Sequence, residues 1–231
     1  MTTPKAKVHS VKATKDVVSE VAKNFLMGVP AIRRSRSKMG RTSPPSDAAL
    51  LDRYAFPLLN RAVNWMDISG ADVFEIGPGD HLSSGLALLA AGARSYTCAD
   101  RFAGNYSSPA AKTWYRTVRS MWPESYPAWP ETLDAETFPE CCAAVRILPL
   151  GVENLFDVGT FALVGSTSVG EHVSGITAFA EASQRLLRPG GIAIHHIDFA
   201  PHDYWRTDYG PAAGAKREET ATIRSGADCR P

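Results

Sequence analysis

The sequence predicts an α/β protein: a mostly parallel β-sheet with helices on both faces. Three observations predict it. Short apolar runs alternate with segments whose apolar residues recur at helical spacing, the pattern of successive βαβ units. One run, Val73-Phe74-Glu75-Ile76, stops at Gly77-Pro78-Gly79-Asp80 and passes straight into a helical pattern at Leu82, Leu86, Leu89 and Ala93. Another, Ser95-Tyr96-Thr97-Cys98-Ala99, ends on Asp100, 21 residues beyond Gly79.

The first run matters most. A strand that turns at glycines into a helix brings backbone N–H groups and a helix N-terminus to one point. Glycine has no Cβ, so a ligand can approach the main chain there. A dinucleotide fold places a third glycine where this chain has Leu82, so the pattern present is E-x-G-x-G, on Glu75, Gly77 and Gly79. Asp100 stands close to the roughly 20-residue spacing at which a carboxylate meets ribose hydroxyls. The plainer alternative is that it merely solvates a strand end.

The later elements follow in order. Ala144 to Leu150 reads as a strand, followed by Gly151-Val152-Glu153-Asn154-Leu155. Phe161 to Ser166 is the fourth strand, and Ser168-Val169-Gly170-Glu171-His172-Val173 comes after it. Helical spacing resumes at Ile176, Phe179, Ala180, Ser183 and Leu187. Arg188-Pro189-Gly190-Gly191 then stops the helix, with Arg185 and Arg188 favourably placed near its C-terminal dipole. Ile192 to Ile197 is the fifth strand.

This ordered set, from about residue 72 to 198, resembles the class I S-adenosylmethionine-dependent methyltransferases (methyltransferase type 11-like). The E-x-G-x-G turn, the S-x-x-E-H-V segment and R-x-L-R-P-G-G before a strand carry the resemblance. It implies a Rossmann-like fold and S-adenosyl-L-methionine as cofactor. By the same resemblance, Glu75, Gly77, Gly79, Asp100, Val152, Glu153 and Ser166 form the cofactor site. The chain departs from the family at Val152 and Ala162, where Asp is frequent, and at Gly170, where Leu is usual. A complete core of this family closes with an antiparallel hairpin after the fifth strand. Between Gly210 and Pro231 the only Leu, Ile or Val is Ile223, so the hairpin is expected to be missing and residues 210–231 to form a disordered tail.

Three divisions are expected: a basic arm at 1–46, a core at 47–209 and the tail at 210–231. Residues 1–41 hold ten Lys or Arg against Asp16 and Glu20, and a short helix is expected over Lys15 to Met27. The arm reads either as a contact for an anionic partner or as a solvated helix and linker. A second helix is expected from Asp47 to Trp65. Residues 102–139 are an aromatic and Pro-rich insertion, with a helix over Ala110 to Met121. Its rings (Trp114, Tyr115, Trp122, Tyr126, Trp129) either line an acceptor pocket or pack the insertion onto the core.

Composition sets the limits. At 231 residues and 44% hydrophobic, the chain can bury one sizeable core. A net charge of +1 makes no global case for nucleic acid. Cys98, Cys141, Cys142 and Cys229 show neither C-x-x-C spacing nor a disulfide framework. No run is apolar and long enough to span a bilayer and no signal-peptide core is present, so a cytoplasmic location is expected. His195, His196, Asp198, His202 and Asp203 crowd together. Adjacent strand residues point to opposite faces, however, and no metal is expected.

The function expected is methyl transfer to a small molecule, lipid or saccharide. An oxygen acceptor needs a base, and His172 and His202, past the fourth and fifth strands, are the candidates. A non-catalytic protein of the same fold, binding the cofactor or a partner, is the alternative. A nicotinamide-dependent oxidoreductase is disfavoured by Leu82 and Glu75. A nucleic-acid methyltransferase rests only on the basic arm, and no N/D-P-P-Y/F motif is present.

Overall fold

The computed structural model describes residues 51, 55–173, 175–198 and 218–224. The basic arm at 1–46, the first turns of the helix expected from Asp47, His202 and Asp203 lie outside the described residues. So does most of the 210–231 segment.

The described elements are α1 (Pro57–Ala62), β1 (Asp72–Ile76), α2 (Ser83–Ala90), β2 (Ser95–Ala99), α3 (Pro109–Ser120), β3 (Val145–Leu148), β4 (Phe161–Thr167), α4 (Ile176–Leu186), β5 (Leu187–Asp198) and β6 (Glu218–Arg224). The strands form one sheet in the order β3-β2-β1-β4-β5-β6. β1 to β5 are mutually parallel, and β6 pairs antiparallel with β5. This is the Rossmann-like parallel sheet that the alternation of strands and helices predicts.

Strand alternation sends neighbouring residues into separate cores. Val73, Tyr96, Leu163, Ile192 and Ile194 join Leu58, Leu59, Leu86 and Trp114 on the face covered by α1, α2 and α3. Phe74, Ile76, Val164 and Ala193 meet Phe179 and Leu186 of α4 on the other face. With both faces covered, the central strands read as continuous apolar runs, as parallel sheets do.

Three expectations change in detail. The helix expected to reach Trp65 ends at Ala62, and Trp65 is half exposed. The Asn64 side chain bonds back to the Asn60 carbonyl at 3.0 Å, competing with the ladder of the last turn. β5 begins at Leu187 rather than Ile192. The strand already includes Arg188-Pro189-Gly190-Gly191, with Gly190 in a left-handed backbone (φ 75°), and a register shift between Phe161 and Leu163 accommodates these residues. Finally, residues 218–224 form a strand where composition predicts none. An edge strand needs little core-forming material: it satisfies the free hydrogen-bonding edge of β5, and β-branched Thr220, Thr222 and Ile223 favour extended backbone. Among the described residues this single strand stands where a closing hairpin would begin.

The insertion packs inward. Trp114 and Tyr115 are buried in α3, and Trp122 meets Phe56 and Trp129 edge-on at 5.8 and 5.4 Å. Tyr126 bonds through its hydroxyl to Asn60, and Lys112 donates to the Phe138 carbonyl at 2.7 Å. Of the two readings of these rings, packing onto the core is the one their contacts describe.

Candidate cofactor site

The strand order reverses beside β1: the chain goes outward to β2 and β3, then returns to β4 on the other side. The carboxyl ends of β1 and β4 therefore flank a switch point, where open α/β sheets bind ligands. Gly77 and Gly79 sit at that point with φ of 67° and 79°, a left-handed backbone that L side chains rarely adopt. The Gly77 N–H donates to the Ala99 carbonyl at 2.8 Å, tying the turn to the end of β2. A Cβ added at Gly79 would meet nothing within 4 Å, so the turn opens on free space. At Gly77 a Cβ would lie 2.6 Å from a methyl group of Val169, which reaches over the turn from the loop after β4. A ligand that approaches main-chain amides fits this arrangement.

Asp100 follows the last residue of β2. Its Oδ1 accepts the Phe102 N–H at 2.6 Å, which anchors the carboxylate at the strand end. Arg101, its neighbour, pairs with Glu153 in the short 3-10 turn Val152–Asn154 that follows β3. Both side chains are about half exposed, so this pair adds little stability. Val152 packs half-buried against the α4-side core. Gly77, Gly79, Asp100, Val152 and Glu153 thus line the carboxyl ends of three adjacent strands.

Glu75 lies elsewhere. Its carboxyl turns inward beneath α2, where it accepts the Tyr96 hydroxyl and bonds to Ser84. Burial pushes its pKa up to about 7 against the pull of those two hydrogen bonds. Space for the Tyr96 ring comes from Gly85, where a Cβ would lie 2.4 Å from the ring.

Ser166, at the end of β4, is also buried, and its hydroxyl lies 2.8 Å from Nδ1 of His195 on β5. The His195 ring stands edge-on to Phe179 at 4.7 Å, and burial holds its pKa down to about 4. His196 points to the opposite face by strand alternation. Among the described residues no three His, Cys, Asp or Glu side chains are disposed to hold a metal ion. His172 is exposed in the turn Gly170–His172, whereas His202 lies outside the described residues.

Sequence reasoning missed two groups beside this edge. His81, just past the glycine turn, stacks on Trp114 with ring centroids 4.1 Å apart, and burial lowers its pKa to about 4. Nothing in the sequence links residues 33 positions apart. Glu171 has both carboxylate oxygens buried with no hydrogen-bond donor among the described residues. The S-x-x-E-H-V segment drew notice to it, but its isolation is visible only in three dimensions.

No family model matches the chain, and no curated protein matches it. Solved structures do. StiE O-MT is 16% identical at a TM-score of 0.45, with 74% of this chain and 53% of that chain covered. Phosphoethanolamine N-methyltransferase 1 of Haemonchus contortus, solved with phosphoethanolamine and S-adenosylhomocysteine, is 15% identical at a TM-score of 0.43, covering 73% and 33%. Coclaurine N-methyltransferase bound to N-methylheliamine and S-adenosylhomocysteine is 14% identical at 0.38, covering 65% and 35%. In each pairing the chain spans about half of the other chain or less. No helix among the described residues is long and apolar enough to cross a membrane.

Proposed function

We propose that the chain is an S-adenosylmethionine-dependent methyltransferase acting on a small molecule, lipid or saccharide. One observation carries the reading. A left-handed glycine turn at the end of β1 is hydrogen-bonded to the end of β2, the strand that presents Asp100 at the switch point of a parallel sheet. Such a turn suits the amino-acid part of a nucleoside ligand, and a strand-end carboxylate suits its ribose.

The cofactor supplies an activated methyl group on a sulfonium sulfur. The chain's own residues do the rest. The Gly77–Gly79 backbone admits the ligand, Asp100 accepts ribose hydroxyls, and Val152 with Glu153 borders the base. Glu75 and Ser166, proposed from sequence as direct contacts, support the site from beneath. Glu75 fixes the strand before the turn, and Ser166, held by His195, fixes the end of β4. His172 is exposed where an acceptor hydroxyl could give up its proton, and His202 is retained as the second candidate base on sequence grounds alone.

The test is release of S-adenosylhomocysteine from S-adenosylmethionine across a broad acceptor panel, with Asp100→Ala as control. Turnover that falls at least about tenfold in the variant supports the reading. Cofactor binding without turnover favours the non-catalytic alternative, and tight NADH binding favours an oxidoreductase.

A further inference from the structure

The turn after β4 holds a carboxylate that nothing described explains. Val169 sits against Gly77, Gly170 sits against Ile197 at the end of β5, and Glu171 follows in the same 3-10 turn. The turn is tied to β5 at its start and closed on itself at its end. The Ser168 N–H donates to the His196 carbonyl at 2.8 Å, and the His172 N–H donates to the Val169 carbonyl at 2.9 Å. Glu171 is thus held at the carboxyl edge of the sheet beside the glycine turn. Neither of its oxygens has a hydrogen-bond donor among the described residues, and both are shut off from solvent. Burying a carboxylate without donors or a cation is costly, and native proteins rarely leave one so.

We infer that Glu171 receives the ammonium group of a bound small molecule. Among the described residues no group of three ligating side chains surrounds the site, and one carboxylate is matched in charge by one monovalent organic cation. An alkyl-ammonium carries three N–H donors on a compact charge, and two of them satisfy the two orphaned oxygens. The ammonium has two possible sources: the amino-acid end of the nucleoside cofactor or an amine on the methyl acceptor. Both sources rest on the proposed methyltransferase reading; the ammonium site itself does not.

Three probes distinguish these, each titrated into the full chain and its Glu171→Gln variant. S-adenosylhomocysteine carries an α-ammonium, 5′-methylthioadenosine is the same nucleoside without the amino acid, and propylamine is an ammonium alone. If the cofactor is the source, the variant loses about tenfold or more in affinity for S-adenosylhomocysteine and keeps its affinity for methylthioadenosine. If the acceptor is the source, both nucleosides bind the variant normally, and the rise in melting temperature caused by propylamine disappears. Wild-type protein that ignores both nucleosides yet shows a Glu171-dependent propylamine shift would sink the methyltransferase reading and keep the ammonium site. The inference is overturned if the variant changes none of the three responses. It is equally overturned if the ligand-free variant melts several degrees lower, since Glu171 then pairs with a cation of the chain itself. Glu171→Ala, tested alongside, separates loss of charge from any strain of the amide.

Discussion

The Tyr96 hydroxyl donates to the buried Glu75 carboxyl in the seam between β1, β2 and α2. Strand pairing sets this up. Glu75 lies opposite Cys98, so Tyr96 is two residues down the neighbouring strand on the same face, within diagonal reach of a long side chain. The acidic position of the E-x-G-x-G motif is therefore part of the protein's interior, and it fixes the strand from which the glycine turn departs.

Gly85 is the other half of that arrangement. Its missing Cβ leaves room for the Tyr96 ring, which is fully buried and cannot swing aside. Gly85→Ala should destabilise the fold by about 2 kcal/mol or more, although alanine is the better helix former. Urea unfolding would show this as a lower midpoint at unchanged slope.

Glu75 makes stability depend on pH in a stated direction. Its folded pKa of about 7 lies above the ordinary 4.5, so the folded state holds the proton more tightly than the unfolded chain. Its contribution is full below pH 4.5 and is lost as pH rises through 7. The total is roughly 3 kcal/mol. Glu75→Gln should flatten the decline between pH 5 and 8 while keeping an acceptor for Tyr96. An equally steep decline in the variant would assign it to another group.

His195 works in the opposite sense. Burial depresses its pKa from 6.5 to about 4, so its contribution is present above 6.5 and is lost as pH falls toward 4. His81 shifts the same way over the same range. His195→Asn and His81→Gln should each lessen the acid-side loss measured by thermal melts at stepped pH, and together by more than either alone.

The insertion depends on Trp122, which contacts Phe56, Tyr126 and Trp129 at once. Trp122→Ala should cost about 2 kcal/mol or more. Amide exchange should rise in residues 122–139 before it rises in β1 or β4, because those strands have their own core.

The parallel sheet was legible because its signals are local. Apolar runs, glycine stops and the Asp100 spacing are all read along the chain. The sheet edge was less so. β6 draws on the free edge of β5, and no composition rule measures the worth of an unpaired neighbour strand. Within the site, Gly77 and Gly79 were legible because a left-handed turn selects glycine. The inward turn of Glu75 was not, since it depends on Tyr96 and Gly85, each unremarkable in its own segment. The same holds for Ser166 with His195 and for His81 with Trp114. Partners from separate strands and helices meet only once the sheet has been assembled.

The central claim, that the glycine turn and Asp100 form a nucleoside cofactor site, is tested most directly by calorimetric titration with S-adenosylhomocysteine. NADH and the Asp100→Ala variant serve as controls. The account predicts binding in the micromolar range, weakened about tenfold or more by the variant, with no comparable affinity for NADH. A folded chain that binds neither ligand, or binds S-adenosylhomocysteine equally well without the Asp100 carboxylate, would contradict it.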